Sequence, residues 1–97
     1  MSVYIIVDTK VKDPEKYQKY IDEVFPSVTE YGGRYHVRGG KIRSLGAWKP
    51  ERINVIEFPT EIHVQRWLTS PEYKAIVPLW EDSAEIQTIL ADGYMDE

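Results

Sequence analysis

Ninety-seven residues without a single cysteine exclude a disulfide framework, a thiolate metal site and a cysteine nucleophile. Sixteen acidic against twelve basic side chains leave a net charge of -4, which gives no global field to hold a phosphate backbone and argues against nucleic-acid binding. One domain over 1–97 is expected, and a chain of this size buries only about two-thirds of the surface it exposes when unfolded, so support from a partner subunit fits.

The opening "MSVYIIVDTKV" holds an apolar run of five residues ended by Asp8, with no basic segment before it. That is too short for a signal peptide or a membrane span, and with the absence of cysteine it points to the cytoplasm and away from membranes. Its β-branched and aromatic residues predict a strand over 2–8. Asp13 followed by Pro14 predicts a helix start, the carboxylate capping free N–H groups while proline takes a position where no donor is missed. Tyr17, Tyr20, Ile21, Val24, Val28 and Tyr31 then recur at steps of three and four, which carries the helix to about residue 31. Pro26 lies inside that stripe and predicts a kink or a break near Glu23 to Phe25. Gly32 and Gly33 end the helix.

Residues 34–38 read as a second strand, Gly39-Gly40 as a turn or bulge, and "KIRSL" as a continuation of the hairpin. "GAWKPE" is the loop into a third strand, "RINVIEF" at 52–58, which Pro59 stops. Thr60 caps a second helix carrying Ile62, Val64, Trp67 and Leu68, and Ser70-Pro71-Glu72 repeats the cap-then-proline signature. This helix is therefore expected in two pieces, the second running through Tyr73, Ile76, Val77 and Trp80. "AEIQTILA" is the last strand, followed by the acidic tail "DGYMDE". The order βαββαβ is that of a ferredoxin-like α+β plait, a four-stranded antiparallel sheet with two helices on one face.

Helices on one face leave the other face open, and a mostly apolar open face needs a cover. The strand period of two sends Val3, Ile5 and Val7 to the helix side and leaves Tyr4, Ile6 and Asp8 on the open side. In "RYHVR" the same rule turns Tyr35 and Val37 towards the helices, leaving Arg34, His36 and Arg38 open. With Arg34 opposite Glu57, Val55 faces His36 and Ile53 faces Arg38. The expected surface mixes aromatic, aliphatic and ionic groups, as in a concave small-molecule pocket closed by a second copy of the sheet.

The run "YGGRYHVRGG", followed by "INVIEFPT" and "SPEYKAIVPLW", resembles the bacterial domain of unknown function 1330 family, within the dimeric α+β barrel superfamily. The similarity runs from "DPEKYQKY" to "DGY". It implies a homodimer in which two ferredoxin-like subunits pack sheet against sheet into a barrel, with a cavity in each half. It implies no established reaction: related families include cofactor-free monooxygenases of aromatic polyketides, muconolactone isomerases, haem-degrading enzymes and stress-responsive proteins.

Six residues are candidates for the site. Arg34 and Arg38 would clamp a carboxylate or phenolate, against the plainer reading of an ion pair with Glu57 or Asp8. His36 between them would exchange a proton near neutrality, or merely line the pocket. Tyr4 would form a ligand wall, Glu57 borders the same face as a counter-ion, and Trp48 in its loop would act as a lid or dimer contact. Histidines only at 36 and 63, with no cysteine, give no metal-ligand spacing, so neither a metal nor a cofactor is expected. His63, Trp67, Trp80, Tyr17 and Tyr20 read as helix packing and core. No phosphate loop or nucleophile elbow is present.

The expected function is binding of a small anionic or aromatic metabolite in a barrel cavity, with cofactor-independent oxygenation or isomerisation as its enzymatic form. The alternative is a dimer that binds without turnover. An RNA-binding plait is disfavoured, since "GGRYHVRGG" lacks the paired aromatics on which bases stack.

Overall fold

Alternating side chains build a sheet with one strongly apolar side. In the computed structural model, which describes residues 2–94, β1 (Val3–Val11) is central and pairs antiparallel with β3 (Arg52–Phe58) and with β4 (Ala84–Asp92). An edge strand, β2 (Arg34–Arg38), pairs antiparallel with β3, giving the order β2-β3-β1-β4. The helices are α1 (Pro14–Glu30), α2 (Glu61–Leu68) and α3 (Pro71–Glu81), the last two being the predicted halves of one helix. Met1 and residues 95–97, the end of the acidic tail, lie outside the described residues. The expected plait, one four-stranded antiparallel sheet with its helices on one face, is the observed fold.

Local chemistry sets the helix starts. The Asp13 carboxylate accepts from the Lys16 N–H at 3.2 Å, the Thr60 hydroxyl from the His63 N–H at 3.3 Å, and the Ser70 hydroxyl from the Tyr73 N–H at 3.1 Å. The buried stripes Tyr17, Tyr20, Val24 and Val28 of α1 and Val64 and Trp67 of α2 meet Val3, Ile5, Ile56 and Phe58 of the sheet. Fully burying a side chain such as Phe58 contributes about 1.5–3 kcal/mol. Trp67 also donates its indole N–H to the Ser27 hydroxyl at 3.0 Å, so its polar atom is satisfied inside the core.

Four expectations need correction. The break at Pro26 does not occur, and α1 runs through it. Pro26 and Asp22 are both exposed, so water can reach the Asp22 carbonyl that proline leaves without its donor. "KIRSL" is not a strand: Gly39 turns the backbone at φ +68° and gives its N–H to the Ile53 carbonyl at 3.0 Å. Beyond that bond only Arg52 of β3 remains, too little to pair with positions 41–44, and the segment 39–51 is irregular. β1 is longer than predicted, because Lys10 and Val11 find partners in Glu85 and Ala84 of β4.

The fourth correction reorders β2. Arg34 is opposite Glu57 and Tyr35 opposite Ile56, in the register expected, but it then shifts so that Val37 faces Val55 and Arg38 faces Asn54. His36 and Val37 together oppose one residue of β3, which is a bulge. The extra residue reverses the parity after it. Val37 therefore lies on the open face, and Arg38 on the helix face.

Candidate functional site

The open face gathers part of the expected site. His36 Nε2 lies 2.7 Å from Glu57 Oε1, and the Tyr4 ring is tilted beside the imidazole with centroids 5.7 Å apart. Glu57 titrates below the usual carboxylate range, first because the Ser2 hydroxyl bonds to it, then because of His36. The carboxylate is thus paired with the histidine and not with an arginine. Arg34 sits on the same face opposite Glu57, exposed and outside any ion pair among the described residues. Around them the surface is apolar: Ile6, Ile53 and Val55 are half-buried, and Val37 and Ile89 are exposed.

Trp48 is not brought to that group. It is 65 % exposed in the irregular loop and borders a recess of about 280 Å³ with Asp8, Lys10 and Glu85, four residues along β1 from Tyr4.

Arg38 is on the opposite side of the sheet. Its guanidinium lies 3.9 Å over the Phe25 ring of α1 and 5.7 Å from the Tyr35 centroid, a cation held on an aromatic face. The bulge explains this: without the extra residue, position 38 would stand opposite Ile53 and point away from α1.

Beneath the helices lies a cavity of about 380 Å³ that the sequence did not disclose. Its floor includes Val7, Asn54 and Ile86 of the sheet, and its roof Tyr20, Trp67 and Trp80 of the helices. Along β4 the lining residues Thr88 and Leu90 are exposed, which gives it a mouth. Four tyrosines, 17, 20, 35 and 73, also line it. Burial pushes the Tyr20 and Tyr73 phenols upward, and the Tyr35 phenol too, although Arg38 and Arg52 pull the last one back in part. The Tyr20, Tyr35 and Tyr73 hydroxyls thus stay protonated at neutral pH.

The cavity also carries buried polar atoms with no partner: Thr9 Oγ1, Asn54 Oδ1 and Trp80 Nε1, with Arg52 Nε beside them. Leaving such an atom unpaired costs about 1–3 kcal/mol, so each one calls for an explanation. Thr9 and Asn54 occupy helix-facing positions in strands whose other residues on that side, Arg52 apart, are apolar. That break in pattern was the readable signal. His63 is a helix-start residue, its Nδ1 2.8 Å from the Thr60 hydroxyl. Among the described residues no cluster of three or more His, Cys, Asp or Glu side chains could hold a metal ion, and no helix is long and apolar enough to cross a membrane.

A family model for a domain of unknown function, DUF1330, matches residues 2–94. The chain belongs to this family. The resemblance carried by "YGGRYHVRGG" and the blocks after it is thereby borne out. No curated protein matches the DUF1330 chain. Among solved structures it is similar to a protein of unknown function from Rhodopseudomonas palustris, RPA0582, at 14 % identity and a TM-score of 0.79, covering 98 % of this chain and 84 % of that one. SnoaB, a cofactor-independent oxygenase from Streptomyces nogalater, is similar at 12 % identity and a TM-score of 0.72, covering 98 % of this chain and 95 % of SnoaB. A dabb family protein with a ferredoxin-like fold from Mesorhizobium loti is similar at 12 % identity and 0.68, covering 97 % and 98 %. Likeness at such identity carries the fold, not the chemistry.

Proposed function

We propose that this DUF1330 chain is a small-molecule-binding protein that works as a cytoplasmic homodimer, with its ligand held between sheet and helices. The observation that carries the reading is the 380 Å³ cavity, whose walls are apolar and whose few polar atoms lack partners. Apolar walls with convergent polar groups are the usual make-up of a ligand site. The open sheet face, with Ile89 60 % and Val37 40 % exposed, is the surface a second copy would cover. SnoaB, a cofactor-independent oxygenase, has a similar fold, which is compatible with this reading.

A second reading draws on the 2.7 Å contact of His36 with Glu57. Here the ligand lies on the open face between two copies, Arg34 and Tyr4 hold it, and His36 moves a proton in a cofactor-independent oxygenation or isomerisation. One titration separates the two readings. Phenolic and carboxylic ring compounds are added to 15N-labelled protein, and the indole and backbone resonances are followed. The first reading expects saturable shifts at Trp80 and Trp67 that disappear in Val7→Trp, where the floor of the cavity is filled. Shifts centred on Tyr4 and His36 that survive Val7→Trp would move the ligand to the open face. Product formation distinguishes turnover from binding.

A further inference from the structure

The charge of the cavity wall specifies the charge of its ligand. Among the described residues no Asp, Glu, Lys, Arg or His lines the helix-side cavity, in a chain of which 29 % is charged. The polar side chains of the wall are threonines, tyrosines, tryptophans and Asn54. These residue types hydrogen-bond as neutral groups.

Two cations stand against the wall from outside. The Arg38 guanidinium lies 3.9 Å from the centroid of Phe25, and that of Arg52 lies 5.6 Å from the centroid of Tyr17. Phe25 and Tyr17 are lining residues, whereas neither arginine is. The rings therefore stand between these charges and the space. The entrance repeats the pattern: the exposed residues of the lining are Leu68, Thr88 and Leu90, so a molecule entering past them meets no charged wall residue.

A solid core is uncharged as well, but it has no room for a guest. Here the space measures about 380 Å³, within the roughly 300–1,000 Å³ of small-molecule pockets. Its walls favour a flat body, since Phe25 and Tyr35 meet edge to face at 4.8 Å and Trp67 and Tyr73 stand 4.6 Å apart. An ion, by contrast, has no counterpart there. Taking a carboxylate or an ammonium out of water is strongly unfavourable unless an opposite charge and hydrogen bonds replace the water, and neutral groups supply only the second. A ketone, ester or ether oxygen needs no more than a neutral donor.

We propose that the cavity takes an uncharged aromatic molecule whose polar groups are neutral oxygens, and that it excludes carboxylates and amines. This rests on the helix-side reading of the function. It parts from the anionic ligand expected of Arg34 and Arg38, because the first lies on the open face and the second outside the lining.

The test uses three probes of nearly equal shape: 2-acetylnaphthalene, 2-naphthoate and 2-naphthylmethylammonium. Dissociation constants are read from the Trp80 indole resonance. At neutral pH the ketone is expected to bind at least about 100-fold more tightly than either ion. Lowering the pH from about 7.5 to about 5.5 should tighten the apparent affinity of the acid about tenfold per unit, because only its protonated form enters, and leave that of the ketone unchanged. Leu90→Arg, at an exposed wall position, should narrow the gap between ketone and carboxylate by offering the anion a partner. Naphthoate that binds as tightly as the ketone near neutral pH, with no dependence on pH, overturns the proposal and leaves the helix-side cavity standing if both move the Trp80 resonance. Absence of a Trp80 shift with every probe overturns the proposal and the helix-side reading together.

Discussion

His36 and Glu57 join β2 to β3 on the open face by a 2.7 Å contact between Nε2 and Oε1, and the carboxylate also receives the Ser2 hydroxyl. Both bonds favour the ionised acid, so Glu57 binds its proton less readily folded than unfolded. A group depressed in this way stabilises the fold above its unfolded value, and that contribution is lost as the pH falls through the folded one. The window lies below the ordinary value of 4.5. Native protein is therefore expected to lose more stability than Glu57→Gln as the pH falls below that value, with parallel curves near neutral pH. Urea midpoints measured across the series check it; coincident curves throughout would remove the linkage.

Gly33 follows α1 where a side chain has no room. A Cβ there would lie 2.6 Å from Val28 Cγ1 and 2.8 Å from Phe58 Cζ, and both of those residues are fully buried. Gly33→Ala should destabilise by about 1–3 kcal/mol through overpacking. A lowered denaturant midpoint at unchanged slope is the expected reading.

Ile89 on β4 faces outward opposite Ile6, 60 % exposed in the single chain. Ile89→Lys should convert a dimer to monomers in sedimentation, because a charge would have to be buried against the second sheet. The matched change Ile62→Lys, on an α2 residue 59 % exposed, should leave the assembly intact. A native protein already monomeric at micromolar concentration would mean that the open face is not covered by its twin.

Much of this architecture was legible because it depends on neighbours in the chain. Asp13, Thr60 and Ser70 announce their helices through bonds three residues long, and the assumed register with Arg34 opposite Glu57 is the one found. The bulge at His36 and Val37 was not legible. An extra residue in one strand is defined only by the partner strand, and its effect is to move Arg38 across the sheet. The cavity was hidden for a similar reason: Tyr17, Tyr20 and Trp67 recur at helical steps whether they pack solidly or line a space. Thr9 and Asn54 were the exceptions, polar residues placed where their strands should present apolar ones.

The contact of Arg38 with Phe25 should be worth about 0.5–1 kcal/mol, as expected of a partly exposed cation on a ring. A double-mutant cycle of Arg38→Ala with Phe25→Leu isolates it. A coupling of zero would show that the guanidinium does not rest on the ring in solution.

The bulge in β2 also separates two jobs within five residues. Substitutions at 34 and 36 bear on the outer side of the sheet, whereas a change at 38 bears on the rings of Phe25 and Tyr35 on the helix side. Sequence change can thus alter one side of the sheet while leaving the other as it stands.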